Sequence, residues 1–310
     1  MRRLGLSSYK LLLLATAVVF GLLTMQLGSS AQGIKSSGYR LSVVGIAVSD
    51  YAKSQDFYGK QMGLREAFKF SSRDGKRTTT YYQLSRDTFL EMAEAAGDVH
   101  PGFTHVHLAV DDLNGTIARL KQTGIAGSAR NATTPGTVTE TGVAQPSNVK
   151  NANIYDPDGL RLELNELIPE SLTSKATESW SDTYPSYRLY VIGIGYKDFA
   201  VSDDFYEKKM GLRVAFLINS PTHPYLQLSR DTFIDFQLAA APSFNHVHLV
   251  VDDLTKALAR LKQNGVPTTA PQFSPPSQLY SANVTDPDGL RLELNQWVDS
   301  LPKRAAEAWK

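Results

Sequence analysis

The sequence contains no cysteine and only six histidines among its 310 residues. Without cysteine the chain can form no disulfide, no thiolate metal site and no cysteine nucleophile. It also lacks a phosphate-binding loop, a glycine-rich dinucleotide motif and the Gly-x-Ser-x-Gly turn of hydrolases. Any metal binding or acid–base chemistry must therefore use carboxylates and those histidines.

The chain has no marked excess of charge of either sign, with 32 basic and 31 acidic residues. A nucleic-acid-binding protein normally shows a basic stripe, so we expect no nucleic-acid partner. We expect instead a small-molecule ligand or substrate, and a monomer or homodimer. The length and the 42% hydrophobic content indicate two ordinary globular domains.

Long apolar runs are absent except at the N-terminus. Basic residues precede an apolar run over residues 11–27, and small residues follow at 29–31. This order predicts a signal peptide over residues 1–31 and an exported protein, periplasmic or secreted. An uncleaved membrane anchor is the alternative. Cleavage would leave 29 basic and 31 acidic residues, a net charge of −2, and no membrane-embedded part.

A long internal repeat organises the rest of the chain. Three matches recur in order: YRLSVVGIAVSDYAKSQDFYGKQMGLREAF (39–68) with YRLYVIGIGYKDFAVSDDFYEKKMGLRVAF (187–216), HVHLAVDDL (105–113) with HVHLVVDDL (246–254), and DPDGLRLELN at both 156–165 and 286–295. The repeat predicts a duplicated domain of just over a hundred residues, too long a period for a solenoid.

The repeat also sets the predicted domain boundaries. They are an N-terminal segment 32–38, domain 1 at 39–168, a linker 169–186 rich in Ser, Thr and Pro, domain 2 at 187–298 and a C-terminal tail 299–310.

Each copy is itself doubled, because the same order of a strand followed by a capped amphipathic helix occurs twice within it. In the second half of domain 1, Asp111 or Asp112 caps a helix whose apolar stripe is Leu113, Ile117 and Leu120. Further strands are predicted in domain 1 at residues 65–70, 78–84, 88–93, 151–155 and 160–165. Each half therefore has the order strand–helix–strand–strand–strand.

Alternation along these strands places polar side chains in one row, opposite the apolar row that packs on the helices. In domain 1 that row contains Glu91, His105, His107, Arg161, Glu163 and Asn165, and in domain 2 it contains Asp235, His246, His248, Arg291, Glu293 and Asn295. If the sheets curl, each row lines a concavity. The alternative is the solvated face of a half-exposed antiparallel sheet.

The motifs AVSDYAKSQDFYGKQMGL, HVHLAVDDL and DPDGLRLEL resemble those of the vicinal oxygen chelate superfamily, which includes glyoxalase I, extradiol dioxygenases and bleomycin-binding proteins. The resemblance implies an α+β fold of tandem glyoxalase-like domains. Each domain would be built from two βαβββ modules that form a cup-shaped mixed sheet. Because proteins with this fold have many functions, the function of this chain must be inferred from the residues of its site.

The resemblance also implies a ligand set for a divalent metal such as Mn²⁺, Fe²⁺ or Zn²⁺. The implied ligands are Glu91, His105 and Glu163 in the first copy and Asp235, His246 and Glu293 in the second. The family's first-strand ligand falls on Val43 and Val191, which cannot bind metal, so each set is one ligand short.

Other polar residues of the two rows receive further roles. Glu91 or Asp235, if not needed as a ligand, could serve as a catalytic base. His107, His248, Arg161 and Arg291 could contact the substrate, although the two arginines could instead pair with the carboxylates and make the cluster structural.

Three hypotheses follow for function. The first is a metal-dependent enzyme of glyoxalase or dioxygenase type that acts on a small oxygenated substrate. The second is a metal-free module that binds a small ligand, as bleomycin-binding relatives do. The third is a scaffold that uses the duplicated fold for stability and assembly.

Overall fold

The computed structural model of the chain describes residues 38–72 and 75–309. The predicted signal peptide, and all of the predicted N-terminal segment except Gly38, lie outside the described residues. Within the part that is described, no helix is long and apolar enough to cross a membrane.

The elements of the first copy include the predicted strands and helices in the predicted order. Its strands are β1 (Arg40–Val48), β2 (Arg65–Ser71), β3 (Thr78–Gln83), β4 (Phe89–Glu94), β5 (Gly102–Ala109), β6 (Ala126–Ser128), β7 (Thr137–Thr139), β8 (Gly142–Ala144), β9 (Val149–Tyr155) and β10 (Arg161–Glu166). Its helices are α1 (Tyr51–Gln55), continued by the π-helical segment Asp56–Gln61, then α2 (Leu113–Gln122) and α3 (Leu172–Glu178).

The second copy repeats this order. Its strands are β11 (Arg188–Tyr196), β12 (Arg213–Leu217), β13 (Pro224–Ser229), β14 (Thr232–Leu238), β15 (Ser243–Val250), β16 (Gln272–Ser274), β17 (Leu279–Thr285) and β18 (Arg291–Gln296). Its helices are α4 (Phe199–Asp203), continued by the π-helical segment Asp204–Lys209, then α5 (Leu254–Gln263) and α6 (Leu301–Glu307).

Each copy forms one mixed sheet from its own two modules. The first sheet has the order β2-β3-β4-β1-β5-β10-β9-β7-β6, with β8 paired to β9, and the second has the order β12-β13-β14-β11-β15-β18-β17-β16. In the middle of the first sheet, β1 pairs antiparallel with β5. On the outer side of this pair, β4 runs parallel to β1 and β10 runs parallel to β5. The predicted α+β fold of two tandem domains is confirmed.

Helix α2 shows why the apolar and polar rows separate as predicted. The Asp112 side chain caps the helix by accepting a hydrogen bond from the Gly115 N–H at 2.9 Å. The stripe Leu113, Ile117 and Leu120 is buried against the apolar row of the sheet. The polar row is thereby left on the opposite, concave face.

The segments marked by sequence as linker and tail each contain a short helix that packs on the neighbouring sheet. In α3, the carbonyl of Ala176 accepts a hydrogen bond from the buried Gln83 Nε2 at 3.0 Å. In α6, the carbonyl of Ala305 accepts one from Gln227 Nε2 at 3.3 Å. These two glutamines therefore fasten the added helices to the sheets.

Two reciprocal hydrogen bonds join the copies through the turn of each DPDG motif. The hydroxyl of Tyr58 donates to Asp286 Oδ2 at 2.8 Å, and the hydroxyl of Tyr206 donates to Asp156 Oδ2 at 3.0 Å. All four side chains are buried. Burial raises the pKa of Asp156 to about 6, although the Leu160 N–H and the Tyr206 hydroxyl oppose that rise.

This pKa gives a signed pH dependence of stability. Because the folded-state pKa of Asp156 lies above its unfolded value near 3.8, the folded state favours the neutral carboxyl. The resulting stabilisation is fully present below about pH 4 and is lost as the pH rises through about 6. Relative to Asp156→Asn, the free energy of unfolding of the wild type should fall by about 2 kcal/mol between pH 4 and pH 6. Urea unfolding across this range measures it, and a pH-independent difference would contradict it.

Candidate metal centre

The concave face of the first sheet encloses a cavity of about 220 Å³. Its aromatic lining comes from Phe70, Tyr81 and Phe89, and its polar lining includes Glu91, His105, His107, Arg161, Glu163 and Asn165. All the candidate site residues of the first copy therefore face one space. The alternative, that this row is only a solvated sheet face, does not fit the buried histidines.

Strand register brings these residues together. Gly45 on β1 lies opposite His105 on β5 and beside Glu91 on β4. A Cβ atom on Gly45 would lie 2.2 Å from Cε1 of His105, so only glycine leaves room for this imidazole. Glycine at the equivalent Gly193 does the same for His246, whose Nδ1 would lie 2.3 Å from an added Cβ.

Three side chains form a compact group at the floor of the first cavity. Nε2 of His105 and Nε2 of His107 are 2.9 Å apart, and each lies 3.3 Å from Glu91 Oε2. The Tyr81 hydroxyl donates to the same carboxylate oxygen at 2.6 Å. Such a group could hold a divalent metal ion. Two histidines and one carboxylate suit Fe²⁺, Mn²⁺ or Zn²⁺ with coordination positions left open.

The protonation states of Glu91 and His105 suit metal binding, whereas His107 would have to lose a proton to bind an ion. Burial alone would raise the pKa of Glu91, but His105 and His107 hold it well below its usual range. Burial and the Arg161 charge lower the pKa of His105, which favours the neutral imidazole. Burial also opposes the charged form of His107, yet Glu163 and Glu91 outweigh it and raise the pKa. A charged carboxylate and a neutral imidazole are the forms in which these groups bind metals.

Glu163 lies outside the group, which differs from the ligand set predicted from the sequence. Register pairs Glu163 with His107, not with Gly45 or Glu91. Its Oε1 accepts hydrogen bonds from Asn151 Nδ2 at 2.8 Å and from Asn165 Nδ2 at 3.0 Å. The structure thus assembles Glu91 and His105 with His107, which was predicted to contact the substrate.

The two arginines behave differently from a structural ion-pair cluster. Arg161 lines the cavity, and Arg291 is exposed. Among the described residues, neither forms an ion pair with a carboxylate. The arginines therefore form no direct ion pair with Glu163 or Glu293, although their charges help to lower the pKa of each carboxyl.

The second copy contains the equivalent group of Asp235, His246 and His248. Nε2 of His246 and Nε2 of His248 are 2.8 Å apart, and His246 Nε2 lies 3.3 Å from Asp235 Oδ2. Glu293 is again outside the group, with Oε1 3.8 Å from His248 Nδ1. Burial, aided by the charges of His246 and Arg291, lowers the pKa of His248 to about 4.

His223, which the sequence analysis did not select as a site residue, belongs to the second site. Its Nε2 lies 2.7 Å from Asp235 Oδ1. His223 stands two residues before Tyr225, which also faces this site. Period-two alternation back from Tyr225 is the signal that could have identified it.

Two large aromatic side chains lie beside the histidine pair of the second copy. Tyr190 stands where the first copy has Ser42, and Trp297 stands where it has Leu167. Tyr190 is fully buried, with its ring centroid 5.0 Å from that of Trp297 and 5.8 Å from that of His248. The two copies therefore have equivalent polar groups, but in the second copy aromatic rings lie beside that group where the first copy has smaller side chains.

Comparison with known families identifies the fold. The family model described as Glyoxalase/Bleomycin resistance protein/Dioxygenase superfamily matches residues 40–164 and 188–294. No curated protein matches the chain in sequence.

Solved structures share the architecture at low sequence identity. The Mn(II)-bound glyoxalase from Novosphingobium aromaticivorans has 18% identity and a TM-score of 0.65, with 84% of each chain covered. A catechol 2,3-dioxygenase has 16% identity and a TM-score of 0.61, with 83% of this chain and 87% of that chain covered. Homoprotocatechuate 2,3-dioxygenase from Arthrobacter globiformis has 16% identity and a TM-score of 0.63, with 87% of this chain and 84% of that chain covered. At these identities the likeness establishes the fold alone.

The contact between Gly45 and His105 predicts a sharp difference between two glycine substitutions. Gly45→Ala should destabilise the protein by about 1–3 kcal/mol, because the added methyl group must displace the imidazole. Gly59→Ala is the matched control, since its Cβ would lie 3.5 Å from the nearest atom, in Tyr82. That change should be neutral or stabilising by up to about 1 kcal/mol. Urea unfolding measures both, and equal effects would refute the steric argument.

Proposed function

Because the chain belongs to the Glyoxalase/Bleomycin resistance protein/Dioxygenase superfamily, we propose that its first copy is a metal-dependent enzyme of glyoxalase or dioxygenase type. The substrate would be a small oxygenated molecule. The observation that carries the proposal is the group of Glu91, His105 and His107, which lies at the floor of a cavity. A catalytic ion needs both a ligand set with open positions and a space for substrate.

In this proposal the residues of the first cavity have separate roles in holding the ion and in orienting its ligands. A bound divalent ion would polarise vicinal oxygens of the substrate. Glu91, His105 and His107 would hold the ion, and the Tyr81 hydroxyl orients the Glu91 carboxylate.

Glu163 is the better candidate for the catalytic base, since Glu91 is engaged in the group. Burial would raise the pKa of Glu163, but His107, His105 and Arg161 lower it, which keeps the carboxylate charged at neutral pH. Its two amide partners hold it in place beside the cavity. This assignment replaces Glu91, and by equivalence Asp235, as the base expected from the sequence.

A metal-free binding module is the second candidate function. It is favoured by Val43 in the family's first-strand ligand position and by the direct hydrogen bond between the two imidazoles of the group. The filled second copy favours a scaffold role for that copy.

A paired substitution separates the ligand role of Glu91 from the base role of Glu163. The experiment measures Mn²⁺ affinity in an Asp235→Asn background, which weakens the second group. In that background Glu91→Gln should weaken Mn²⁺ binding at least tenfold, about the lower limit for disturbing a metal site. Glu163→Gln, a matched change on the same sheet face, should alter it by less than about threefold, since this carboxylate lies outside the group.

Equilibrium dialysis with metal analysis gives both affinities. Loss of binding in both variants would place Glu163 among the ligands. A wild-type protein that takes up no Mn²⁺, Fe²⁺ or Zn²⁺ would overturn the metal-enzyme proposal in favour of the binding module.

We also propose that the protein is exported by cleavage after Ala31, on the support of the apolar run and the small residues that follow it. The intact mass of the protein from the periplasm or medium of an expressing bacterium should correspond to a chain that starts at Gln32. A full-length chain recovered with the membrane fraction would favour the uncleaved anchor instead.

A further inference from the structure

An arginine in the loop between β6 and β7 holds one of the two amide partners of Glu163. Nη2 of Arg130 donates a hydrogen bond to Asn151 Oδ1, and Nη1 donates to the carbonyl oxygens of Asn151 at 3.1 Å and Glu140 at 3.4 Å. The Asn151 amide in turn donates from Nδ2 to Glu163 Oε1 at 2.8 Å. Arg130, Asn151 and Glu163 therefore form a relay of hydrogen bonds that ends at the carboxylate proposed as the base.

The chemistry of these groups fixes the direction of the Asn151 amide. A guanidinium group has donors and no acceptor, so the amide turns its oxygen towards Arg130. The NH2 group of the amide then faces Glu163, and an NH2 group pairs only with an acceptor. The relay therefore favours the carboxylate form of Glu163, because a protonated carboxyl that turned its hydrogen towards this amide would meet a second donor.

A glycine makes room for the guanidinium group. A Cβ atom on Gly142 would lie 2.5 Å from Nε and 2.8 Å from Cζ of Arg130. Gly142 on β8 is also the register partner of Asn151 on β9. The glycine that makes room for the guanidinium and the asparagine that accepts its hydrogen bond therefore lie opposite each other on adjacent strands.

The second copy lacks the arginine, the glycine and the asparagine of this arrangement. The positions equivalent to Gly142 and Asn151 are Gln272 on β16 and Ser281 on β17, which pair with each other in the same register. The segment before β16, residues 264–271, is shorter than its counterpart at 123–141 and contains no arginine. The relay therefore occurs together with the cavity that Asn151 lines, and it is not a general requirement of the duplicated fold.

We propose that Arg130 is a positioning residue for Glu163 and acts through the Asn151 amide. The guanidinium fixes the amide, and the amide fixes Oε1 of Glu163. Oε2 receives no hydrogen bond from the described residues, so it is the oxygen that remains for a ligand in the cavity. The inference rests on the proposed function for the role of Glu163 as the base, whereas the relay itself needs neither metal nor substrate.

NMR of the metal-free protein, labelled with ¹⁵N in asparagine and ¹³C in the glutamate carboxyl groups, tests the relay at constant pH. Arg130→Met should speed solvent exchange of the Asn151 Nδ2 protons about tenfold, as expected for the loss of one hydrogen bond, and should shift the Glu163 carboxyl signal. Arg304→Met is the matched control, because Arg304 donates to the amide oxygen of Gln278 in the second copy. It should leave both signals unchanged.

The same spectra exclude or establish a purely structural role for Arg130. If Arg130→Met lowered the free energy of unfolding while the Asn151 and Glu163 signals stayed at their wild-type positions, the arginine would only stabilise its loop. That result would overturn the inference.

A combined substitution separates action through the amide from a direct effect of the arginine charge. Asn151→Ser introduces the residue of the second copy and removes the donor to Glu163. In this background Arg130→Met should cause no further shift of the Glu163 carboxyl signal, because the relay is already broken. Shifts that add in the double variant would overturn the inference in favour of a direct charge effect.

Gly142→Ala displaces the guanidinium while the arginine stays in the chain. Because the added methyl group would lie 2.5 Å from Nε of Arg130, this variant should reproduce the effects of Arg130→Met on both signals. Gly59→Ala, whose Cβ would make only ordinary contacts, should leave them unchanged. Wild-type signals in Gly142→Ala would contradict the placing of the guanidinium on Gly142, and with it the inference.

Failure of this inference is distinguishable from failure of the proposed function, because the NMR signals are measured without metal. Metal uptake by a protein whose signals ignore Arg130→Met would retain the metal enzyme and overturn the positioning role. The expected shifts in a protein that takes up no metal would retain the relay and overturn the metal enzyme.

Discussion

The imidazole of His105 rests on the bare backbone of Gly45, because the antiparallel register of β1 and β5 sets these residues opposite each other. Glu91 reaches the same point from β4, which runs parallel to β1 on its other side. The group that could hold a metal is therefore a product of three adjacent strands. Its geometry depends on sheet register more than on any loop, and sites on rigid strands are held more precisely than sites on loops.

The two copies show how little sequence is needed to change the use of one fold. Their polar groups agree in type and nearly in position. The difference lies in side-chain volume at two places, where tyrosine and tryptophan stand in the second copy and serine and leucine in the first. A chelating group needs space beside it to be a site for chemistry, and the first copy combines the two, whereas the buried ring of Tyr190 lies beside the group in the second copy.

Much of the fold follows from sequence, because alternation and helix capping are local signals. The rows on β5, the cap at Asp112 and the duplicated sheet were predictable in this way. The choice between His107 and Glu163 was not, since both lie in one row and their side-chain directions depend on hydrogen bonds to Glu91 and Asn165.

Residues whose roles come from packing across elements were also hidden from sequence analysis. Tyr190 matters because of what it fills, and α3 matters because a buried glutamine on β3 binds its carbonyl. Neither role has a periodic signature. His223 is an intermediate case, because the alternation of β13, extended back by one residue, points to it once Tyr225 is known to face the site.

The crossed tyrosine–aspartate bonds between the copies have an evolutionary consequence. Each DPDG turn has its buried aspartate bonded by a tyrosine from the other copy, so loss of either half would leave Oδ2 of the remaining aspartate without its tyrosine donor. The second copy therefore supplies the first with a buried donor, Tyr206, and a buried acceptor, Asp286, whether or not it binds a ligand itself. Retention of the second copy needs no separate activity to explain it, and its interior is free to diverge while the joint persists.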